Sequence, residues 1–281
     1  MSYLNKVKIE EVAIVGAVQE LQKYITISDI DYPKDLIEKV VAQREESTPK
    51  LLEIAEKFFT YSHRDITYEQ WREAMVAFFI LSKFREQKAF QLVVRLCKFP
   101  YKSVNTIFGD ITTENLPEFL ASTFNGDWQE LYSIIANQHF EEYSRLSVID
   151  AYGILYMHNI MSREQIIEIF SKLFDELYDD FSCAPTFLVC KCNDICAVEL
   201  FDKIEKYFEK NVVDDSFIGL KEIKKSFSVS LEEALEEMRN RPVHDFIDDL
   251  QKDMGWLFGK DEDDLDSECE DDKKEDDVVK F

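Results

Sequence analysis

Three thiols set close together, Cys190-x-Cys192-x3-Cys196, form the one cluster in this chain whose residue types could hold a metal ion or supply a nucleophile. A structural zinc needs about four ligands converging on one point. On a helix Cys192 and Cys196 share a face at i, i+4 while Cys190 points roughly opposite, so a single helix cannot aim all three at one ion. Cys183 joins them only from a separate turn, and no Cys-x2-Cys pair occurs. Free cysteines buried on an apolar helix are the expected role. The four histidines, His63, His139, His158 and His244, stand apart and lack the His-Glu-x-x-His spacing that puts two ligands on one helix face. There is no Gly-rich phosphate loop, Gly-x-Ser-x-Gly elbow or kinase signature. Paired acids such as Asp179-Asp180 and Glu232-Glu233 read as solvated helix faces, since an acid/base dyad needs unequal, partly buried environments. No catalytic residue, metal ligand or cofactor is assigned, and the expectation is a protein that is not an enzyme. The alternative is an enzyme or metal-dependent protein that assembles Cys183–Cys196 thiols and histidines from distant parts of the chain.

Charged residues carry a clearer pattern. Arg44-Glu45, Arg85-Glu86 and Gly126-Asp127 stand 41 residues apart (86−45 and 127−86), with Leu52, Val93 and Ile134 behind them and Ile37, Phe78 and Phe119 ahead of them in step. A period of roughly 40 to 47 residues with two helical stretches per unit marks a HEAT-like α-solenoid, whose units bury apolar faces by stacking on neighbours. The acids then have two readings. As structure, each sits near the start of a second helix and meets its free N–H groups. As function, successive units present arginines and acids along one edge, fit to hold an extended peptide. The structural reading is favoured, because repeats reproduce caps as readily as sites. Partner-contact candidates are Arg44, Arg85, Asp110, Asp127, Trp128 and Arg145, with Trp256 in an apolar hook as a further aromatic that either meets a partner or folds back onto the last helix.

The elements that position these residues read as amphipathic helices near Ile9–Tyr24, Pro33–Glu46, Thr48–Tyr61, Tyr68–Phe84, Gln87–Phe99, Tyr101–Phe108, Glu114–Phe124 and Asp127–Gln138. The array continues through Glu141–Asn159, Ser162–Tyr178, Pro185–Phe208, Gly219–Arg239 and Pro242–Met254. Asp31-Tyr32-Pro33, Ser47-Thr48-Pro49 and Thr67-Tyr68-Glu69-Gln70 supply start signals. The 41-residue register slips after Asp127: Ser162 opens its helix about 36 residues on, as a shortened unit would. The expected organisation is a capping helix over 1–30, a helical repeat domain over 31–254 (regular over 31–138, less regular over 139–254), and a hook with a disordered acidic tail over 255–281.

Composition agrees with an all-α chain. Of 281 residues, 7 are Gly and 6 are Pro, too few for the turns of a sandwich or barrel. The net charge is −24, and 260–281 alone holds 12 acids against 4 lysines. Such a surface repels phosphate backbones, and no basic patch offsets it, so direct nucleic-acid binding is not expected. A basic partner is slightly favoured, and mimicry of nucleic acid toward a basic partner is a further alternative. No apolar run reaches the ~20 residues of a membrane span, the N-terminus carries no signal-peptide core, and scattered cysteines suit reduced thiols. The expectation is a cytoplasmic protein, with a specialised secretion route left open.

Gln43-Arg-Glu-Glu-Ser-Thr-Pro49 with Leu51-Leu52, Phe78–Leu81 with Phe84-Arg85-Glu86, Gly109-Asp110, Leu120-Ala121 before Asn125-Gly126-Asp127, Arg145, Ser162-Arg163-Glu164 and Asp214-Asp215-Ser216-Phe217-Ile218 together resemble a bacterial family known as domain of unknown function eleven-eighty-six. The likeness covers roughly residues 20 to 235. It implies a HEAT-like helical fold and no established activity. Many members continue into a cysteine-rich zinc-binding tail, and this chain departs there, with only Cys269 amid Asp and Glu. The combined expectation is a helical-repeat interaction protein that binds a protein or peptide along a concave surface.

Overall fold

The computed structural model describes residues 16–27, 31–62, 64–99, 107–240 and 243–259, and contains no strand among them. The parts of the expected N-terminal helix before residue 16, most of Tyr101–Phe108, His63, and the acidic tail with Cys269 lie outside the described residues. Helix α1 is described over 16–25. There follow α2 (Lys34–Ala42), α3 (Arg44–Phe58), α4 (Tyr68–Lys83), α5 (Phe90–Cys97), α6 (Ile111–Glu114), α7 (Leu116–Thr123), α8 (Trp128–Ala136) and α9 (Glu142–Met157). The remaining helices are α10 (Arg163–Glu176), α11 (Ala184–Asp194), α12 (Phe201–Glu209), α13 (Leu220–Ser226), α14 (Leu231–Asn240) and α15 (Leu250–Met254).

Local chemistry accounts for the well-formed helices. In α10, Ile166, Ile169, Phe170, Leu173 and Phe174 repeat at three- and four-residue steps and are all buried. Ser162 and Gln165 close a reciprocal capping box at its start, as Thr67 and Gln70 do for α4. The helices pack in two rows. In the front row α4 packs on α7, α7 on α9, α9 on α11, and α11 on α14; in the back row α5 packs on α8 and α8 on α10. Central α9 touches both rows, so Leu146, Val148, Ile149, Ala151, Tyr152, Ile154 and Leu155 are buried on every side of it. Its near-continuous apolar sequence reflects that position.

The 41-residue recurrence marks the turn from a front helix into a back helix. Arg44, Arg85-Glu86 and Gly126-Asp127 lie at the entries to α3, to α5 and to α8. Turns of this kind carry a left-handed residue: Arg85 (φ 53°), Gly126 (φ 97°), Asn159 (φ 55°) and Cys196 (φ 51°). At three of them the chain reverses through the same bond five residues back, from the amides of Glu86, Ile160 and Ala197 to the carbonyls of Leu81, Leu155 and Cys192, at 3.0, 2.9 and 2.8 Å. Their spacing runs 41 (126−85), 33 (159−126) and 37 (196−159), so the units shorten after the third turn.

Several element boundaries differ from the sequence reading. Helix α3 begins at Arg44 and carries Pro49 inside it, so Ser47-Thr48-Pro49 starts nothing; the chain breaks instead at Gln43. The expected Pro185–Phe208 helix is two helices, interrupted where Cys196 turns left-handed, and Gly219–Arg239 is likewise α13 and α14. Of the expected Pro242–Met254 helix, Pro242 lies outside the described residues, 243–249 is irregular, and only α15 is helical among those described.

Candidate functional site

After α14 the chain turns back across the whole front row. Residues 243–258 form a strap that passes α9, α7 and α4 in reverse order and ends against Tyr32 at the start of the array. His158, at the end of α9, pairs with the Asp245 carboxylate and stacks on Phe246 with ring centroids 3.9 Å apart at 26°. The guanidinium of Arg85 covers Phe246 at 4.2 Å from the ring centroid. Phe246 is thus held between a flat cation and an imidazole, an arrangement that suits an aromatic quadrupole.

The next residue is gripped by its backbone. Ile247 is fully buried; its N–H donates to Ser122 Oγ at 3.2 Å, and its carbonyl accepts from Arg85 Nη1 at 2.8 Å. Arg85 also meets the Asp248 carboxylate at 2.9 Å, and Lys83 Nζ donates to the Asp248 carbonyl at 2.5 Å. Asp249 then caps α15 through the amides of Gln251 and Lys252. Beyond it Leu250, Met254, Leu257 and Phe258 are buried. Helix α15 packs against α4, Trp256 approaches Trp71 at 6.2 Å, and Phe258 meets the edge of Tyr32 at 5.6 Å. The hook therefore docks on the first units. Burial there, with nearby Asp249, Glu38 and Asp253, pushes the Tyr32 phenol up to about 12.

Titratable groups are trapped where the strap first touches the row. His244 stands between Glu118 on α7, at 4.0 Å, and Asp150 on α9, at 3.8 Å. Burial raises Glu118 to about 7, against the opposing pull of the Asn115 side chain and the Asp245 amide. Burial also lowers His244, against the attraction of Asp150. Both groups are thereby held toward their neutral forms. Beside them Lys191 lies 2.8 Å from Asp150 and 3.1 Å from Asp194. Burial works to lower its pKa, but the two carboxylates outweigh it and raise Lys191 to about 12. Gly153 makes room for this lysine: a Cβ there would stand 3.2 Å from Lys191 Cδ. A cavity of about 520 Å³ opens next to the cluster, walled in part by Asp194, Glu222, Val229, Met238 and His244.

The six residues singled out from the sequence have separate surroundings. Arg44 donates to the Phe84 carbonyl and lies over the Phe84 ring at 5.3 Å, so it stitches one interhelical turn to the next. Arg163 repeats this stitch on Cys196 O at 2.7 Å and adds the Glu199 carboxylate. Arg85 reaches both the next unit, at Ser122, and the strap. Asp127 caps α8 through the Glu130 amide at 3.1 Å. Glu86 does the same for Lys88 N at 3.2 Å, and Glu45 lies in the first turn of α3. Trp128 is half-buried under Lys172, and its carbonyl accepts from the Tyr152 hydroxyl. Arg145 is buried and binds Asp180, Ser182 Oγ and Ile135 O. Burial works to raise the Asp180 carboxyl, but the Arg145 guanidinium and the donors of Ser182 outweigh it and hold it low. Asp110 is exposed ahead of α6.

The cysteines do not share one helix face. Cys192 is buried in α11, Cys190 is half-buried, Cys196 lies in the turn beyond, and Cys183 is exposed. Burial pushes the Cys190 thiol up to about 11 and that of Cys192 well above its ordinary value, away from the reactive thiolate. Among the described residues no group of three or more His, Cys, Asp or Glu is arranged to hold a metal ion, and no helix is long and apolar enough to cross a membrane.

The two-row body and its strap span 16–259, and a family profile described as "Protein of unknown function (DUF1186)" matches residues 17–260. The chain belongs to the DUF1186 family. The match takes in the strap as well as the helices that it crosses. Two relatives of this DUF1186 chain come from Chlamydia. An uncharacterized protein of Chlamydia trachomatis serovar D is 27% identical over 229 residues, 80% of this chain and 90% of its own length. An uncharacterized protein of Chlamydia muridarum is 28% identical over 228 residues, with the same coverage. No solved structure matches.

The sequence reading missed the strap because Phe246, Leu250 and Met254 fall at i, i+4, i+8 and imitate a helical stripe. Pro242, which disfavours helical backbone at the residue before it, was the available signal.

Proposed function

We propose that this protein is an interaction protein whose front row, from α4 to α9, binds an extended segment of a protein or peptide. The observation that supports this most is the way the row holds the strap. Ser122 takes an amide, Arg85 and Lys83 take two successive carbonyls, and Phe246 and Ile247 occupy side-chain positions between helices. Backbone capture gives affinity for any extended chain, and side-chain slots choose among sequences. A binding role rather than a catalytic one also suits the groups nearby: Lys191 is fixed as an ammonium by two carboxylates, and the buried thiols of α11 are held neutral.

Selection of displayed random peptides on the intact protein tests this. Enriched peptides should bind, should lose binding to Lys83→Glu and to Arg85→Gly, and should keep it when Lys172→Ala alters the back row. No enrichment above an unrelated helical protein, or enriched peptides indifferent to the front-row substitutions, would sink the proposal.

A further inference from the structure

We infer that the strap is a removable internal ligand, and that the partner of the front row is a foreign extended segment with the strap's own chemistry: an acid, an aromatic, an aliphatic, an acid, and a leucine two residues on. This rests on the reading of the front row as a binding surface and names what that surface takes. The strap supplies the pattern as Asp245-Phe246-Ile247-Asp248-Asp249-Leu250. Each position has a counterpart on the row. His158 receives the first carboxylate and one face of the aromatic ring; Arg85 covers the other face; Ile247 is wholly enclosed; Arg85 and Lys83 receive the second carboxylate.

Three features make the strap displaceable without loss of the body. First, 243–249, the part of the strap ahead of α15, adds no regular secondary structure, so its release breaks no helix. Second, the helices beneath it close on each other through their own contacts, α4 on α7 and α7 on α9. Third, its charged contacts are half open to solvent: the Asp248 side chain is 70% exposed and that of Asp245 53%. Exposed ion pairs contribute little to affinity, so the hold on 243–249 depends on Phe246 and Ile247, and that on the hook beyond it on Leu250, Met254, Leu257 and Phe258.

Charge decides between partners. The molecule as a whole is strongly acidic and suits a basic partner on its general surface, yet the strap places two carboxylates on the row, Asp248 meeting Arg85 and Lys83 and Asp245 meeting His158. A basic segment would leave Arg85 and Lys83 unpaired and face them with like charge. At physiological salt the remaining surface charge is screened beyond about 8 Å, so the local cations govern recognition.

The test uses the full chain and, as probe, a fluorescein-labelled synthetic peptide of residues 243–259, read by polarisation. Against the wild-type chain the probe competes with the attached strap and binds weakly. Ile247→Asp spoils the strap and leaves the row intact, so the probe should bind at least tenfold more tightly. The double variant Phe246→Ala, Asp248→Asn, which alters no fully buried side chain, should shift affinity the same way and guards against misfolding of the first. Arg85→Gly, at a backbone position where glycine is at ease, should abolish the gain when added to either.

No gain in either strap variant overturns the inference. Equal binding of a scrambled probe, or of one with Lys at the acidic positions, overturns the named chemistry, while peptides of another pattern selected on the same variants would leave the binding role standing. Concentration-dependent dimers of the wild-type chain that vanish in Ile247→Asp would assign the site to a second copy's strap and overturn the foreign partner.

Discussion

Arg145 and Arg85 show how the same residue type does two different jobs, decided by burial. Arg145 is sealed inside the body, and its three hydrogen-bonding directions are all used, on Ile135 O, Ser182 Oγ and Asp180. Removing one member of a buried pair leaves the other charged and unsolvated, so Arg145→Met should cost roughly 3 to 5 kcal/mol, read as a fall in the denaturant midpoint; a loss under about 1 kcal/mol would mean that the site is wetter than described. Glu118 makes a pH prediction. Its pKa is raised to about 7 by burial, so between about 4.5 and 7 the folded state holds a proton that the unfolded chain has lost, and stability falls as pH rises, by at most ~1.4 kcal/mol per unit. His244 is lowered by burial and acts with the opposite sign, gaining stability as pH rises toward 6.5. Glu118→Gln removes only the first slope. The variant should therefore be more stable than the wild type at pH 8 and gain steadily more with pH across that window; an unchanged difference from pH 5 to 8 would contradict the assignment. Neither group was recognisable in the sequence, because an acid on α7 and a histidine after α14 meet only when the strap folds back across the row.

At the scale of elements, the turns between front and back helices carry the architecture. Non-glycine residues occupy left-handed conformations at Arg85, Asn159 and Cys196, which side chains other than Asn and Gly adopt at a cost. Asn159→Gly should be neutral within about 0.5 kcal/mol, whereas a β-branched residue there should cost roughly 1 to 2 kcal/mol; equal losses in urea unfolding would refute a conformational role for the turn. Much of this level was legible beforehand. The 41-residue recurrence located the entries to α3, α5 and α8, and the capping boxes of α4 and α10 stood in the sequence as Thr67–Gln70 and Ser162–Gln165. Helix ends were less legible where the left-handed residue was not glycine: Cys196 sits in a run whose apolar spacing continues from α11 into α12, so one helix was expected where the backbone reverses between two. The recurrence of the arginines was legible, with a structural role favoured over a binding ladder, but their partners were not, since Arg44 reaches the turn of the next unit and Arg85 reaches a segment 162 residues further along the chain.

Across the whole molecule, the strap turns an open stack into a closed one. Front-row helices that a solenoid would leave free are crossed by the chain's own C-terminal stretch, which joins α9 and α7 to α4 and Tyr32. The binding role proposed for this face rests on that crossing, and the strap's role as a removable ligand on its opening. Hydrogen exchange of the intact protein, followed by mass spectrometry over residues 244–250, addresses it most directly. The amides of Phe246, Ile247 and Asp249 are each hydrogen-bonded, to Asp245, Ser122 and Asp253. They should exchange on the order of a hundredfold more slowly than an unstructured chain, and opening them should follow a local equilibrium well below the global unfolding free energy. Arg85→Gly should return this segment to fast exchange while α9 and α10 stay protected. Exchange of 244–250 at the unstructured rate in the wild-type protein would contradict the account.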